Sequence, residues 1–159
     1  MSENESTKTM EQYLETIYDL QKKDGFATVT DIAEARNVKA PSVTYVLQKL
    51  GDAGLVNYEK YRSVTLTPEG MKVAKRLEHI HETLRWFLKL IGVDEETADE
   101  DACEIEHIVR PETVKKLTQF AEWVQGAPKS PKWLTHFREY QETGARSPDC
   151  ADDRQKLAS

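Results

Sequence analysis

The sequence has few cysteines, no long apolar run and no leader-like beginning. Its two cysteines among 159 residues, Cys103 and Cys150, are too few for a disulfide framework. No apolar run approaches the roughly 20 residues that cross a bilayer. The opening MSENESTKTM lacks the basic-then-apolar layout of a signal peptide. We therefore expect a cytoplasmic protein without a membrane partner.

An excess of positive charge is also missing, since 28 acidic residues outweigh 22 lysines and arginines and give a net charge of −6. Residues 1–76 hold 11 residues of each sign, so the excess acid lies in residues 77–159. This balance permits nucleic-acid binding by the first half without indicating it. An acidic second half fits a cation site and also fits ordinary solvated helices.

Apolar spacing in the first half predicts three helices followed by a hairpin. An amphipathic helix occupies residues 8–23, and Thr30 is placed to cap a short second helix, DIAEARN. Pro41 suits the first turn of a third helix, whose apolar stripe is Val43, Val46, Leu47 and Leu50. The alternating run LVNYEKYRSVTLT predicts a two-stranded hairpin with a charged tip.

The second half is predicted to be helical. Thr67 caps a long helix with a nearly unbroken apolar seam that ends near Gly92. Asp94 caps a helix that contains the stretch CEIEH, and Pro111 opens the next one. A last short helix, KWLTHFREYQETG, follows the linker GAPKSP. The fold class is therefore mainly α.

Three helices followed by a charged hairpin are the element order of a winged helix-turn-helix, in which the third helix enters the major groove of DNA. We accordingly predict a DNA-binding domain at 1–75, an all-helical domain at 76–142 and a disordered tail at 143–159. The candidate DNA contacts are polar groups at the start of the third helix and cations at the hairpin tip: Lys39, Ser42, Thr44, Tyr45, Lys60 and Arg62. Small polar residues also simply begin helices, and winged helices also serve as protein-interaction modules.

The stretch CEIEH predicts a metal site. On a helix, Cys103, Glu106 and His107 share one face, and the apolar residues Ala102, Ile105, Ile108 and Val109 lie opposite. The other interpretation is a structural cysteine beside a solvated glutamate and histidine.

Further ligands would have to come from other helices. Gln12 and Glu15 lie three residues apart on the first helix, and His81 lies at the edge of the long helix's apolar seam. Together with CEIEH they offer oxygen, nitrogen and sulfur donors from three helices. Imidazole and carboxylate suit divalent first-row ions, and a thiolate favours softer ones.

Four runs resemble one known family: MEQYLETIYDL, VTDIAEARNVKAPSVTYVLQKLGDAGLVNYEKYRSVTLTPEG, HETLRWFLKLIGVDEE and ACEIEHIV. Together they resemble the diphtheria toxin repressor and manganese transport regulator family over residues 8–125. The resemblance implies a homodimeric transcriptional regulator that binds operator DNA when loaded with Fe(II) or Mn(II). It places the metal ligands at Gln12, Glu15, His81, Cys103, Glu106 and His107. It places recognition-helix contacts around Lys39, Pro41, Ser42, Thr44 and Tyr45.

The chain departs from both branches of that family. Iron-sensing members have Met at the position of Gln12 and manganese-sensing members have Asp, whereas Cys103 matches the iron type and Glu15 the manganese type. The metal identity therefore stays open, and other divalent first-row ions can substitute. One or two ions per subunit remain possible, although Arg85 stands where the iron type has an ancillary ligand. The chain resembles the short, two-domain type.

The expected mechanism is electrostatic. Without metal, Glu15, Asp99 and Glu106 repel one another and loosen the first helix. Metal then joins the helices of both domains and fixes the recognition helices of a dimer about 34–36 Å apart. The expected role is repression of metal-uptake genes, without a small-molecule substrate. The predicted dimer interface is Val114, Leu117, Phe120 and Val124, unless that stripe is intrachain core.

Two alternatives stay open. A winged-helix regulator that is not gated by metal would make CEIEH incidental. A small metalloenzyme is the less favoured alternative, because the sequence lacks HExxH and a recognisable general base.

Overall fold

A computed structural model describes residues 3–59 and 63–148, with the side chains of residues 3 and 4 excepted. Within these residues the chain forms seven α-helices and one antiparallel hairpin. The elements are α1 Glu3–Asp24, α2 Val29–Arg36, α3 Ala40–Asp52, β1 Val56–Tyr58, β2 Val64–Leu66, α4 Pro68–Leu90, α5 Glu95–Ile105, α6 Pro111–Gln125 and α7 Lys132–Thr143. The mainly α fold class and the order of elements are as predicted. No described helix is long and apolar enough to cross a membrane.

The second helix begins earlier than predicted. Thr28 is its N-cap, and the Thr28 hydroxyl accepts a hydrogen bond from the backbone N–H of Asp31 at 3.1 Å. The Asp31 carboxylate accepts in return from the Thr28 backbone N–H at 3.0 Å, which completes a capping box. The prediction that Thr30 caps α2 is therefore wrong, because Thr30 already lies in the first helical turn.

The third helix packs as its stripe predicts. Val43, Leu47 and Leu50 are fully buried, and they join Leu14 and Ile17 of α1 in one core. The hairpin closes this core from the side, with Val56 opposite Leu66 in the strand register. The arrangement is a winged helix-turn-helix. Lys60 and Arg62 of the hairpin tip lie outside the described residues.

The fourth helix connects the two halves of the chain. Its predicted cap, Thr67, accepts from the N–H of Gly70 at 3.1 Å and donates to the carbonyl of Gly54 at 2.7 Å. A Cβ at Gly70 would lie 1.9 Å from the carbonyl oxygen of Leu55, so the helix can approach the hairpin only with glycine there. The remaining length of α4 packs against α1, α5 and α6.

The stretch CEIEH is not one continuous helix. The fifth helix ends at Ile105, and Glu106 begins a turn in which the N–H groups of Ile108 and Val109 both donate to the Ile105 carbonyl, at 3.0 and 2.9 Å. Glu106 is consequently buried, with 4% of its surface exposed, whereas Ile108 is 67% exposed. The prediction of one continuous helix with Ile108 on its apolar face is therefore wrong at this residue, because the helical periodicity stops before it.

The stripe on α6 is partly intrachain core. Val114 and Val124 are buried within the single chain. Phe120 is half-buried and lies in edge or tilted contact with four aromatic rings, those of Trp86, Phe87, Trp123 and Trp133. Trp123 is exposed. The part of this face that stays open to solvent is thus aromatic.

Candidate metal centre

A cavity of about 440 Å³ lies between α1, α4, α5 and the turn that follows α5. Five of the six predicted ligands line it, namely Gln12, Glu15, His81, Cys103 and Glu106. The sixth, His107, lies in ion-pair range of Glu15 and Glu106. The fold therefore gathers side chains that are up to 95 positions apart in the sequence.

The tightest group of donors in this region consists of Glu15, Glu106 and His107, whose ligand atoms all lie within 4.8 Å of one another. The His107 side chain is fully buried, and its Nε2 lies 3.4 Å from a Glu106 oxygen and 3.7 Å from a Glu15 oxygen. This nitrogen makes no hydrogen bond with any described residue. A buried imidazole nitrogen that faces two carboxylates without a hydrogen bond is the arrangement that a divalent cation would satisfy. The residues present therefore fit a metal.

His81 lies on the other side of the Glu106 carboxylate. Its Nδ1 lies 3.1 Å from Glu106 Oε2, and its Nε2 lies 3.1 Å from Asp99 Oδ1. The hydrogen bond to Glu106 raises the pKa of His81 to about 9, with Asp99 adding to the effect against partial burial. His81 is thus a cation at neutral pH, and both ring N–H groups donate to carboxylates.

Glu15 is the second group of the site, after His81, whose pKa is raised so that it holds a proton at neutral pH. Burial, together with the neighbouring Glu106 carboxylate, raises the pKa of Glu15 to about 8. At neutral pH its carboxyl group is therefore mainly protonated. The mutual repulsion expected among Glu15, Asp99 and Glu106 is reduced by this proton and by the charge on His81.

Glu11 is a contributor that the sequence did not reveal. The His107 Nδ1 lies 2.9 Å from Glu11 Oε2, and Glu11 also faces Arg76 at 3.4 Å. Burial lowers the pKa of His107, but the hydrogen bond to Glu11 and the charges of Glu106 and Glu15 outweigh it and raise the pKa overall. When Nδ1–H donates to Glu11, neutral His107 keeps its free lone pair on Nε2, which faces Glu15 and Glu106. The signal available was the four-residue spacing of Glu11 and Glu15, which puts both on one face of α1.

Gln12 and Cys103 stand apart from this tight group. The Gln12 Oε1 accepts a hydrogen bond from Arg36 Nη2 at 2.8 Å. Cys103 as a whole residue is exposed, but its thiol lines the cavity and is partly buried there. This burial, together with the negative charges of Glu106 and Glu15, raises the pKa of the Cys103 thiol. The thiol is therefore protonated unless a cation draws it in. Both side chains can supply soft or neutral donors that complement the carboxylates.

Arg85 occupies the position that the resemblance assigns to an ancillary ligand. Its Nε donates to Glu95 at 3.0 Å and lies 3.6 Å from Asp99. A guanidinium cannot ligate a metal, and here it lends positive charge to the edge of the cavity next to His81.

The predicted DNA contacts lie at the exposed start of α3. Lys39 is its N-cap, Pro41, Ser42 and Tyr45 are exposed, and Thr44 is half-buried. The ring of Tyr45 lies under the Lys49 ammonium group, 4.7 Å from its nitrogen. Hydroxyl groups and a positive charge therefore share one solvent-facing surface, as a groove-reading helix requires.

Two family models match consecutive parts of the chain. The one described as iron dependent repressor, N-terminal DNA binding domain, matches residues 5–64. The one described as iron dependent repressor, metal binding and dimerisation domain, matches residues 67–134. The chain therefore matches both the DNA-binding domain and the metal-binding and dimerisation domain of one kind of regulator.

Two curated relatives match most of the chain at about 40% sequence identity. The HTH-type transcriptional regulator MntR of Lysinibacillus sphaericus is 43% identical over 128 residues, which is 80% of this chain and 92% of the relative. The regulator of the same name from Geobacillus thermodenitrificans is 39% identical over 138 residues, 87% of this chain and 98% of the relative.

A solved structure, that of the manganese regulator SloR, superposes with a TM-score of 0.63 and 30% identity over 72% of this chain. The match covers 54% of the SloR chain, so this chain spans about half the length of that protein.

Proposed function

Because the chain belongs to the iron-dependent repressor family, we propose that it is a homodimeric repressor that binds operator DNA when Fe(II) or Mn(II) occupies its cavity. Family membership confirms the resemblance found in the sequence, and with it the expectation of a DNA-binding regulator that is not an enzyme. The observation that carries the metal dependence is the buried, unbonded Nε2 of His107 facing Glu15 and Glu106.

The proposed ligands are Glu15, Glu106 and His107, with Gln12, His81 and Cys103 completing the shell. A divalent cation supplies concentrated positive charge and directional coordination. Glu15 belongs to α1 and Glu106 follows α5, so a cation held by both carboxylates would connect α1 to the C-terminal half. Glu11 holds His107 in the orientation that leaves Nε2 available.

The connection between α1 and the C-terminal half would affect DNA binding because α1 packs directly on α2 and α3. Fixing α1 against the C-terminal half fixes the position of α3 relative to the dimer axis. Two copies of α3 must lie about 34–36 Å apart to enter successive major grooves. Ser42, Thr44 and Tyr45 would then reach base edges, with Lys39 and the hairpin-tip cations Lys60 and Arg62 near phosphates.

We favour Mn(II) over Fe(II) as the physiological ion, because SloR, one of the solved structures that superpose on this chain, is named a manganese regulator. Carboxylate, imidazole and amide oxygen also suit Mn(II), whereas the Cys103 thiol suits softer ions and keeps Fe(II) as the second candidate. The role is repression of metal-uptake genes on chromosomal DNA in the cytoplasm, and the open aromatic face around Phe120 is the proposed dimer contact.

The test is capture of sheared genomic DNA by the purified protein under anaerobic conditions, with Mn(II), with Fe(II) or with chelator. Discrete fragments should be retained only with metal. Glu106→Gln should lose that retention, because it removes a ligand charge. The matched control is Glu104→Gln, two residues earlier, where an exposed carboxylate pairs with Lys8 and does not line the cavity.

Equal retention with metal and with chelator would refute metal gating. Specific retention by Glu106→Gln would refute the assigned site.

A further inference from the structure

Arg36 brings the DNA-reading helix pair into contact with the metal cavity. It is the last residue of α2, and its Nη2 donates to Gln12 Oε1 at 2.8 Å. Its guanidinium group lies over the ring of buried Tyr13, 5.1 Å from the centroid. Among the described residues that line the cavity, Arg36 alone comes from α2 or α3.

The hydrogen bond to Gln12 engages the atom that this residue would offer to a metal. A glutamine side chain has one oxygen, and here a cation already holds it. The Nε of Arg36 is buried and makes no hydrogen bond with any part of the chain that is described. The contact with Gln12 is therefore the hydrogen bond that keeps this guanidinium group at the cavity.

Arg36 is also three positions before the N-cap of α3, Lys39. Asn37 follows Arg36 and adopts a left-handed backbone conformation, with φ of 50°. Lys39 is then the N-cap residue of α3, whose first two turns carry Ser42 and Tyr45. A change in the position of Arg36 is thus passed to the recognition helix through a short, sharply bent connection.

We propose that Arg36 competes with the bound metal for the side-chain oxygen of Gln12. Two cations on one amide oxygen repel each other in a partly buried site, so metal binding displaces the guanidinium group from Gln12 while α1 stays packed on α2 and α3. Reciprocally, an arrangement of α2 and α3 that withdraws Arg36, such as one selected by DNA, raises the affinity for metal. The inference rests on the proposed function and names the contact through which the two halves of the protein communicate.

The test measures metal binding without DNA. Arg36→Leu removes the charge but keeps an apolar side chain over Tyr13, and it should tighten Mn(II) binding about tenfold in a calorimetric titration. In a Gln12→Ala background the same substitution should tighten Mn(II) binding much less, because the contested oxygen is gone and only the longer-range repulsion between the guanidinium group and the metal remains. Lys72→Leu is the control for charge, since it removes a cation that pairs with Glu69 at 2.8 Å on the exposed start of α4.

A second readout follows the wild-type contact itself. The Arg36 Nε–H signal in a ¹H–¹⁵N spectrum, assigned by its loss in Arg36→Lys, should be protected from exchange in the metal-free protein. Titration with diamagnetic Zn(II) should shift this signal and remove its protection. This readout stays informative even if Arg36→Leu folds poorly.

Tighter Mn(II) binding by Arg36→Leu that is much reduced in the Gln12→Ala background supports the inference, and an equal gain in both backgrounds overturns it. Unchanged or weaker binding by Arg36→Leu, with normal binding by wild type, overturns the inference and leaves the proposed function intact. An Arg36 signal that does not respond to Zn(II) overturns it as well. Wild-type protein that binds no Mn(II) would overturn both.

Discussion

Substituting Glu11 tests whether His107 is held ready for a metal. Glu11 accepts from the His107 Nδ1 at 2.9 Å, and His107 Nε2 faces Glu15 and Glu106. Glu11→Gln keeps a hydrogen-bond acceptor at this position but removes its charge. Glu11→Ala removes the acceptor as well, so His107 loses both its orientation and the charge that makes it a better ligand.

The expected magnitudes follow from the kind of bond that is lost. Hydrogen bonds to charged groups contribute about 1.5–3 kcal/mol, against about 0.5–1.5 kcal/mol for neutral pairs, so Glu11→Gln should lose roughly 1 kcal/mol of metal binding, about fivefold in affinity. Glu11→Ala leaves a buried N–H without a partner and should weaken binding by roughly 10- to 100-fold.

The assay is a calorimetric Mn(II) titration of wild type, Glu11→Gln, Glu11→Ala and Arg76→Gln. Arg76→Gln is the control, because Arg76 contacts Glu11 at 3.4 Å from a largely exposed position and should change affinity by less than about twofold. If Glu11→Ala bound Mn(II) as tightly as wild type, His107 would not be a ligand oriented by Glu11, and the assignment of the centre would be refuted.

Three further predictions follow from the same structure. Mn(II) affinity should rise with pH from 6 to 8, because Glu15 and His81 have pKa values of about 8 and about 9 and a metal binds their deprotonated forms. Calorimetry in buffers of different ionisation enthalpy should detect the protons that are released. An Mn(II) affinity that does not depend on pH would contradict the roles of these two residues. Gly70→Ala should destabilise the fold by roughly 1–3 kcal/mol in urea denaturation, since its Cβ would meet a carbonyl oxygen at 1.9 Å. Gly51→Ala, where a Cβ meets nothing within 4 Å, should instead stabilise by about 0.5–1 kcal/mol, and equal effects of the two would contradict the packing argument. Tyr45→Ala should weaken operator binding about tenfold in fluorescence anisotropy without changing Mn(II) affinity; a parallel loss of metal binding would show that the two surfaces are not separate.

The sequence predicts most helix boundaries because local chemistry decides them. Thr67 and Asp94 cap α4 and α5, and Pro111 opens α6, through hydrogen bonds and backbone preferences within a few residues. The correct cap of α2, which the prediction missed, is also decided by residues close in sequence. Thr28 has an acidic residue three positions later, which is the spacing of a capping box and which Thr30 lacks.

The candidate centre was predictable in its residue types and less so in its geometry. Periodicity placed Cys103, Glu106 and His107 on one helical face, but α5 ends between the first and second of them. Glu106 is therefore buried and Cys103 exposed. Where a helix ends inside a packed region depends on tertiary contacts as well as on its own pattern.

Contacts between distant segments left no periodic signal. Glu11 contacts His107 across 96 positions, and Arg36 contacts Gln12 across 24. Each of these charged residues is an ordinary surface residue when its own helix is considered alone. Their roles follow from the packing of α1 against α2 and α4, which brings both to the centre.

The central claim is that metal at Glu15, Glu106 and His107 and DNA at α3 favour the same conformation. Its most direct test uses an operator fragment recovered by genomic capture. The Mn(II) dissociation constant is measured with and without this DNA, and the DNA dissociation constant with and without Mn(II). Linkage requires both ratios to be equal, and the account predicts that they exceed about tenfold in wild type and fall to about one in Glu106→Gln. DNA affinity in wild type that is the same with Mn(II) and with chelator would contradict the account.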